Sequence, residues 1–347
     1  MTAQAVHFPG KTVFLTGASG VVGQALLPRL AGTRLTCLVR SRPVSGDNIT
    51  SLQGDVLQPR LGLSEDEYRG AAKGVDLIIH AAAITDFLKP EQEIFDTNVE
   101  GTRRIVQLAL DLGVPLYYVS TAFVRPTSRS TNEPNPYEVS KNRAEEIIRQ
   151  SGVHWTILRP SIVVGDSATG QISQFQGLHF MAGLVLNGML PVVPADGNSF
   201  VDFVPQDFVA DAIIAAAESG ETEREYWLTA GARALTINQL LDVCTEHAKD
   251  LVGRTLLRPK LVQQEVFDRL IKPVFMPALP GTLQRTLERA LQMARYMNIY
   301  EPFESSFGEM RAAWQMPPFP DSPVTFLHNL EYWARISPYA KGNKASS

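Results

Sequence analysis

The sequence predicts an α/β fold: a doubly wound parallel sheet with a smaller, mostly helical C-terminal substrate region. Three observations predict it. Short, continuously apolar runs alternate with helical patterns through the first two-thirds of the chain. A glycine-rich turn, TGASGVVG at 16–23, directly follows the first of those runs. The last third carries helical patterns in succession.

Taken in order, KTVFLTG (11–17) reads as a strand ending in a glycine turn. GQALLPRLAG (23–32) has helical spacing that Pro28 interrupts. RLTCLVR (34–40) is the second strand and VDLIIHAAA (75–83) another, followed by the helical NVEGTRRIVQLALDLG (98–113). PLYYVSTAF (115–123) is a strand before a helix around Tyr137, and VHWTILRPSIVVG (153–165) is one more strand. Apolar strands separated by helices imply a sheet buried on both faces. Such sheets bind ligands beyond the carboxyl ends of their strands. The expected division is a dinucleotide-binding domain over 10–230, with substrate-side segments from about 165. A helical substrate or lid region follows over 231–340, then a disordered tail over 341–347.

The chain has 347 residues, 44% of them hydrophobic and 20% charged, as in ordinary globular proteins. A net charge of −4 gives no electrostatic case for nucleic acid. Cys37 and Cys244 lack metal-ligand spacing, no metal site is expected, and Cys37 sits in the apolar LTCLV as a core residue. No apolar signal region opens the sequence, and a cytoplasmic location is expected. The most membrane-like window, 177–194, carries His179, Asn187, three glycines and two prolines, so it is read as buried or pocket-lining.

The residues after each strand are the site candidates. Gly17, Gly20 and Gly23 permit a tight turn, close approach of backbone to phosphate, and close helix packing. Thr16, Ser19, Val21 and Val22 belong to the same turn and helix start, whose free N–H groups suit a pyrophosphate. The second strand ends with Arg40 and Arg42, where an acidic residue would select a ribose hydroxyl. Arginine there suits a 2′-phosphate, so NADPH is the expected cofactor; the alternative is two solvated surface charges. Asp55, followed by Val56, is placed to meet adenine. His80 ends a further strand before Ala81 and Ala82, whose small size lets a cofactor lie against the backbone. His80 itself reads as a structural or cofactor-adjacent histidine.

Tyr137 and Lys141 stand one helical turn apart in YEVSK, on one helix face. Alone the pair is a common coincidence. With Ser120-Thr121 ending the preceding strand, a hydroxyl, a phenol and an ammonium converge on one cleft. An ammonium near a phenol favours the phenolate, lowering a pKa ordinarily near 10.

This constellation, together with the glycine pattern, resembles the extended short-chain dehydrogenase/reductase superfamily over about residues 10–230. The resemblance implies a Rossmann fold with Thr121, Tyr137 and Lys141 as catalytic residues. It gives Lys141 a second role on the nicotinamide ribose, and it matches Asn98 to an asparagine around the active-site helix, read here as structural. Pro160 and Ile162 join the cofactor candidates in the same way. Segments 61–87, 98–102, 118–124 and 159–172 resemble thioester reductases and fatty acyl-coenzyme A reductases. That implies NADPH-dependent reduction of an acyl thioester, on coenzyme A or on a carrier protein in trans, to an aldehyde or further to an alcohol. It also implies a homodimer as the frequent oligomer. Gly165-Asp166-Ser167 is either a loop bordering substrate or a plain strand-ending turn.

The helical last third holds Phe267, Phe275, Met276, Met293, Met297 and Phe307, which either line an acyl pocket or form helix core. Arg285, Arg289 and Arg295 either meet an acidic carrier or coenzyme A phosphates, or form a solvated face. Prolines 273, 277 and 280 suggest a hinged lid. The competing enzymatic readings are a nucleotide-sugar epimerase or dehydratase and a hydroxysteroid-type dehydrogenase. The non-catalytic one is a cofactor-sensing scaffold, for which all three of Thr121, Tyr137 and Lys141 would be superfluous.

Overall fold

The computed structural model describes residues 7–125 and 133–337. The tail expected over 341–347 lies outside the described residues. Seven strands form the main sheet: β1 (Thr12–Thr16), β2 (Arg34–Val39), β3 (Ile49–Gln53), β4 (Leu77–His80), β5 (Leu116–Val119), β6 (Trp155–Pro160) and β7 (Arg224–Leu228). Their spatial order is β3-β2-β1-β4-β5-β6-β7, and every pairing is parallel. Parallel strands need helical crossovers on both faces, which is why every residue of β4 and β5 is buried. The chain leaves β1 toward β2 and returns on the other side as β4. Thr16 pairs with both Leu38 and His80, so β1 and its two neighbours end near one level, beneath the crevice where strand order reverses.

One face of the sheet is covered by α1 (Val21–Arg29) and α5 (Gln206–Ser219), packed through Leu15, Leu26, Val209 and Ile213. The other is covered by α2 (Gly101–Leu112) and α3 (Pro136–Gln150), through Phe14, Ile78, Ile105 and Ile148. The expected interruption at Pro28 does not occur. The helix runs through it and stops one residue later, so the proline's missing donor falls in the last turn. Cys37 is fully buried, and burial pushes its thiol up to about 12.

A second core lies beyond the carboxyl ends of the strands. It is assembled from α4 (Gly177–Leu186), α6 (Gly281–Met297), α7 (Ser322–Ile336) and the helix Ile237–Glu246, around Leu186, Leu241, Leu287 and Trp333. The window 177–194 is thus largely buried, within this core. Phe307, Met310 and Met316 return to the first core, so the C-terminal third serves both. Gln264–Ala278 runs as one irregular helical stretch, with a π turn at Phe267–Ile271 just before Pro273 and a 3-10 end holding Pro277, and Pro280 is the N-cap of α6. No helix among the described residues is long and apolar enough to cross a membrane.

Candidate active site

A cleft of about 300 Å³ opens where the carboxyl ends of β1, β4, β5 and β6 meet α4 and α6. Its cofactor-side wall is the glycine turn. Gly17 has φ +76°, and a Cβ there would sit 2.5 Å from the Ala81 carbonyl carbon. A Cβ on Gly23 would sit 2.2 Å from the Gly17 carbonyl oxygen, so α1 packs onto the loop only as glycine allows. Gly20 is the N-cap of α1 and no side chain caps it, which leaves the helix start open to an anion. Gly17, Gly20, Val21, Val22, Gly23, Ala81, Pro160 and Ile162 all line the cleft. A cradle that a Cβ would fill, at an uncapped helix start, fits a dinucleotide pyrophosphate.

Tyr137 and Lys141 line the cleft too, and the remaining cofactor candidates sit outside this lining. Arg40 and Arg42 are exposed just beyond the carboxyl end of β2, and neither makes an ion pair with a described residue. Ser19 is half-buried in the turn. The Asp55 carboxylate accepts from the Leu57 amide at 2.9 Å, and Val56 is buried under Gly101. Thr16 and His80 lie beneath the glycine loop. The His80 ring nitrogens meet Thr16 Oγ1 at 2.6 Å and Thr102 Oγ1 at 3.2 Å, while Thr16 Oγ1 accepts from the Ala82 amide at 3.2 Å. Burial, with the Lys141 charge adding to it, pushes the imidazole down to about 3. A histidine so held is neutral and structural. Asn98 Oδ1 accepts from the Ile84 amide at 2.8 Å. Its Nδ2 donates to the Ile84 carbonyl and to Ser140 Oγ, both at 3.0 Å. It therefore clamps the chain after β4 to α3 from a π-helical turn, Asp96–Glu100.

The trio is set by the start of α3. Asn135 accepts from the Glu138 amide at 2.9 Å, and the Glu138 carboxylate accepts from the Asn135 amide at 3.1 Å. With Pro136 at the first helical position, this reciprocal cap fixes where the helix begins. Tyr137 then falls in the first turn, facing the cleft, and Lys141 one turn on. Thr121 stands two residues beyond β5 and lines the same cleft as Tyr137 and Lys141.

Lys141 does not lower the Tyr137 phenol as expected. Burial pushes Tyr137 up to about 12, the Thr121 hydroxyl works against that rise, and Glu138 adds to it. Lys141 instead donates from Nζ to the Val119 carbonyl at 2.7 Å and lies 4.1 Å from the centre of the Tyr118 ring. It is 1% exposed, and burial pushes its ammonium down to about 7, with Glu145 opposing.

Sequence reasoning missed a buried charge cluster behind the trio. Glu145 accepts from Ser120 Oγ at 2.6 Å, from Arg159 at 2.9 and 2.7 Å, and from Arg149 at 2.7 Å. Arg159 also pairs with Glu225 at 2.7 Å and stacks on Trp227, 4.7 Å from its centre. The available signal was an arginine inside the apolar strand TILRP.

The far wall is apolar: Phe87, Phe123, Met293, Tyr296 and Met297, with Gly177 at the start of α4. Phe87 and Tyr296 meet edge to face at 5.1 Å, and Arg289 pairs with Asp86 at 3.0 Å, closing α6 onto the chain after β4. Of the helix's other arginines, Arg295 pairs with Asp268 at 3.0 Å. Residues 165–172 do not line the cleft. Asp166 caps its own turn, Ser167 binds Asp207, and Asn329 holds the Gly165 amide, so this loop is a strand-ending turn pinned to α7.

The profile of an NAD-binding family described as "Male sterility protein" matches residues 44–134 and 127–213. A hybrid PKS-NRPS synthetase of Fusarium sp is 32% identical over 259 residues, 66% of this chain and 6% of that protein. Fusarin C synthetase of Gibberella moniliformis is 29% identical over 260 residues, 67% of this chain and 6% of that protein. The chain thus spans only a small part of such relatives. The crystal structure of the terminal R domain from the myxalamid PKS-NRPS pathway superposes with a TM-score of 0.75 at 25% identity, covering 94% of this chain and 90% of that one. A thiolation-reductase di-domain from an archaeal non-ribosomal peptide synthetase shares the fold at TM-score 0.71 and 16% identity, over 96% of this chain and 77% of that one. The chain belongs to the extended short-chain dehydrogenase/reductase superfamily, among its thioester reductase-like, nicotinamide-dependent members.

Proposed function

We propose that this protein reduces an acyl thioester to an aldehyde with NADPH, using Thr121, Tyr137 and Lys141. The observation that carries the reading is that Thr121, Tyr137 and Lys141 line one cleft, between the glycine cradle and an apolar wall. Gly17, Gly20 and the start of α1 would hold the pyrophosphate, Arg40 and Arg42 the 2′-phosphate, and Lys141 the nicotinamide ribose. When bound, the cofactor supplies a hydride to the thioester carbonyl carbon. Tyr137 gives its phenolic proton to the carbonyl oxygen, and Thr121 stabilises negative charge on that oxygen and on the phenolate left behind. A phenol raised to about 12 is fully protonated at neutral pH, as a donor must be. The resulting hemithioacetal collapses: the carbon–sulfur bond breaks, the thiol departs with a proton, and the aldehyde is released. A second reduction would give the alcohol.

The reading includes a thiol carrier supplied in trans, coenzyme A or a carrier protein, a homodimeric state and a cytoplasmic location. Its test is incubation with NADPH and a panel of acyl thioesters, following nicotinamide absorbance and free thiol together. The two signals should move in equal amounts for at least one thioester. Cofactor consumption without thiol release across the whole panel would defeat the proposal.

A further inference from the structure

Glu145 stands one helical turn after Lys141 on α3 and is 1% exposed. A carboxylate at that depth is costly unless every lone pair is engaged. Here four hydrogen bonds reach it: one from the Ser120 hydroxyl, two from Arg159 and one from Arg149. Arg159 is itself held by Glu225 and the Trp227 ring. The cluster thus joins α3, β5, β6 and β7 directly behind the reacting groups. Its two ends matter most. Ser120 is the residue before Thr121, so fixing its side chain fixes the backbone that aims the Thr121 hydroxyl. Lys141 meets no carboxylate within ion-pair distance among the described residues; its Nζ donates to the Val119 carbonyl.

We propose that Glu145 is a positioning residue that keeps Lys141 charged and holds the Ser120–Thr121 corner at the cleft. The groups facing Lys141 are His80 on β4, Tyr118 on β5, and Tyr137, Glu138 and Glu145 on α3. His80 is buried neutral and the phenols are protonated, which leaves carboxylates to favour the ammonium. Glu145 is the one that opposes the effect of burial on Lys141. Arg149 and Arg159 grip the same carboxylate, and cations placed there act on the ammonium in the opposite sense. Removing the carboxylate leaves two guanidinium groups and makes the ammonium harder to keep. Removing the Arg149 guanidinium makes it easier.

The inference gives Lys141 the role assigned under the proposed function, and its test reads the lysine itself. In protein labelled with 13C-lysine, the Lys141 resonance, identified by its loss in Lys141→Arg, is titrated by NMR without substrate or cofactor. Glu145→Gln should lower the midpoint and Arg149→Met should raise it, each by about one pH unit, the size of effect expected from a nearby charge. Midpoints unchanged in both variants would overturn the inference. If Glu145→Gln does not fold, Arg149→Met decides alone, because Arg149 is a third exposed and its loss leaves the Arg159–Glu145 pair intact. Ser120→Ala should cut kcat about ten-fold, the scale of one lost hydrogen bond, without moving the Lys141 midpoint; unchanged kcat would overturn the positioning of Thr121. Should the midpoints move while the pH profile of thioester reduction stays fixed, the role of Lys141 in the proposed function fails and the charge-setting role of Glu145 stands.

Discussion

Lys141 Nζ lies 2.7 Å from the carbonyl oxygen of Val119, the residue that ends β5. The lysine is thereby threaded under α3 to the floor of the cleft. Held there, its ammonium is half-titrated near neutral pH, since burial brings it down to about 7. The ammonium form is full below that value and is lost as pH rises through it. Reductase activity should therefore decline above about pH 7, and Lys141→Met should abolish this limb while lowering kcat/KM by about 10² or more. A pH–rate profile on both proteins checks this.

Tyr137→Phe keeps the ring and removes the proton. The rate should fall by roughly 10²–10⁴, the usual contribution of a positioned acid, with cofactor binding retained. Stopped-flow turnover alongside nicotinamide fluorescence titration separates the two. Thr121→Val should lose about 10²-fold in kcat, as for one donor to a developing oxyanion.

Arg40 and Arg42 are exposed and without carboxylate partners among the described residues. Charge-assisted hydrogen bonds are worth about 1.5–3 kcal/mol each, so Arg40→Ser with Arg42→Ser should weaken NADPH by at least about ten-fold and leave NADH nearly unchanged. Dissociation constants for both cofactors give the answer. Equal losses for the two would assign these arginines to the solvated surface.

Met293 reaches toward Gly177, where a Cβ would come 2.7 Å from its terminal methyl. Met293→Ala should open this wall, raising kcat/KM for longer acyl chains relative to short ones by roughly ten-fold, the value of one or two buried methylenes. A chain-length series on the wild type and the variant measures it.

Stability should fall in acid through the buried histidines. His179 accepts from the Gln176 amide, contacts Asn329 at 3.0 Å, and is pushed by burial down to about 4. The unfolded chain therefore binds the extra proton first. The contribution is complete above the ordinary histidine value and is lost as pH falls toward 4. His80 acts in the same sense, down to about 3. Asp202, raised by burial to about 6, acts oppositely, losing stability as pH climbs through that value. Asp207 is raised by burial in the same sense as Asp202, but the two histidines lie further from their ordinary value, so the melting temperature should drop on acidification from pH 6.5, and His179→Gln should flatten the slope by about 3 kcal/mol across the window.

The sheet was legible because fully buried parallel strands are almost continuously apolar, as LIIH, up to its closing histidine, and LYYV are. The glycine turn was legible because backbone geometry there excludes any Cβ, and Tyr137 with Lys141 because four residues make one turn. What could not be read was direction. Nothing in YEVSK says whether the ammonium points at the phenol or at the Val119 carbonyl; packing of α3 on β5 decides that. The Glu145–Arg159 cluster joins residues fourteen apart on a helix and a strand, and only tertiary contact shows the pairing. Of the two readings of Gly165-Asp166-Ser167, the strand-ending turn is the one found, and the choice was not legible because its anchor, Asn329, is 164 residues distant.

The most direct test is a single-turnover reaction with NADPH deuterated at the transferable position and an acyl-coenzyme A thioester, analysed by mass spectrometry. The account predicts an aldehyde bearing one deuterium on its carbonyl carbon, one free thiol for each aldehyde, and both products formed at least about 10²-fold more slowly by Tyr137→Phe. Aldehyde or thiol formed equally well by Tyr137→Phe, or deuterium found anywhere but on that carbon, would contradict it.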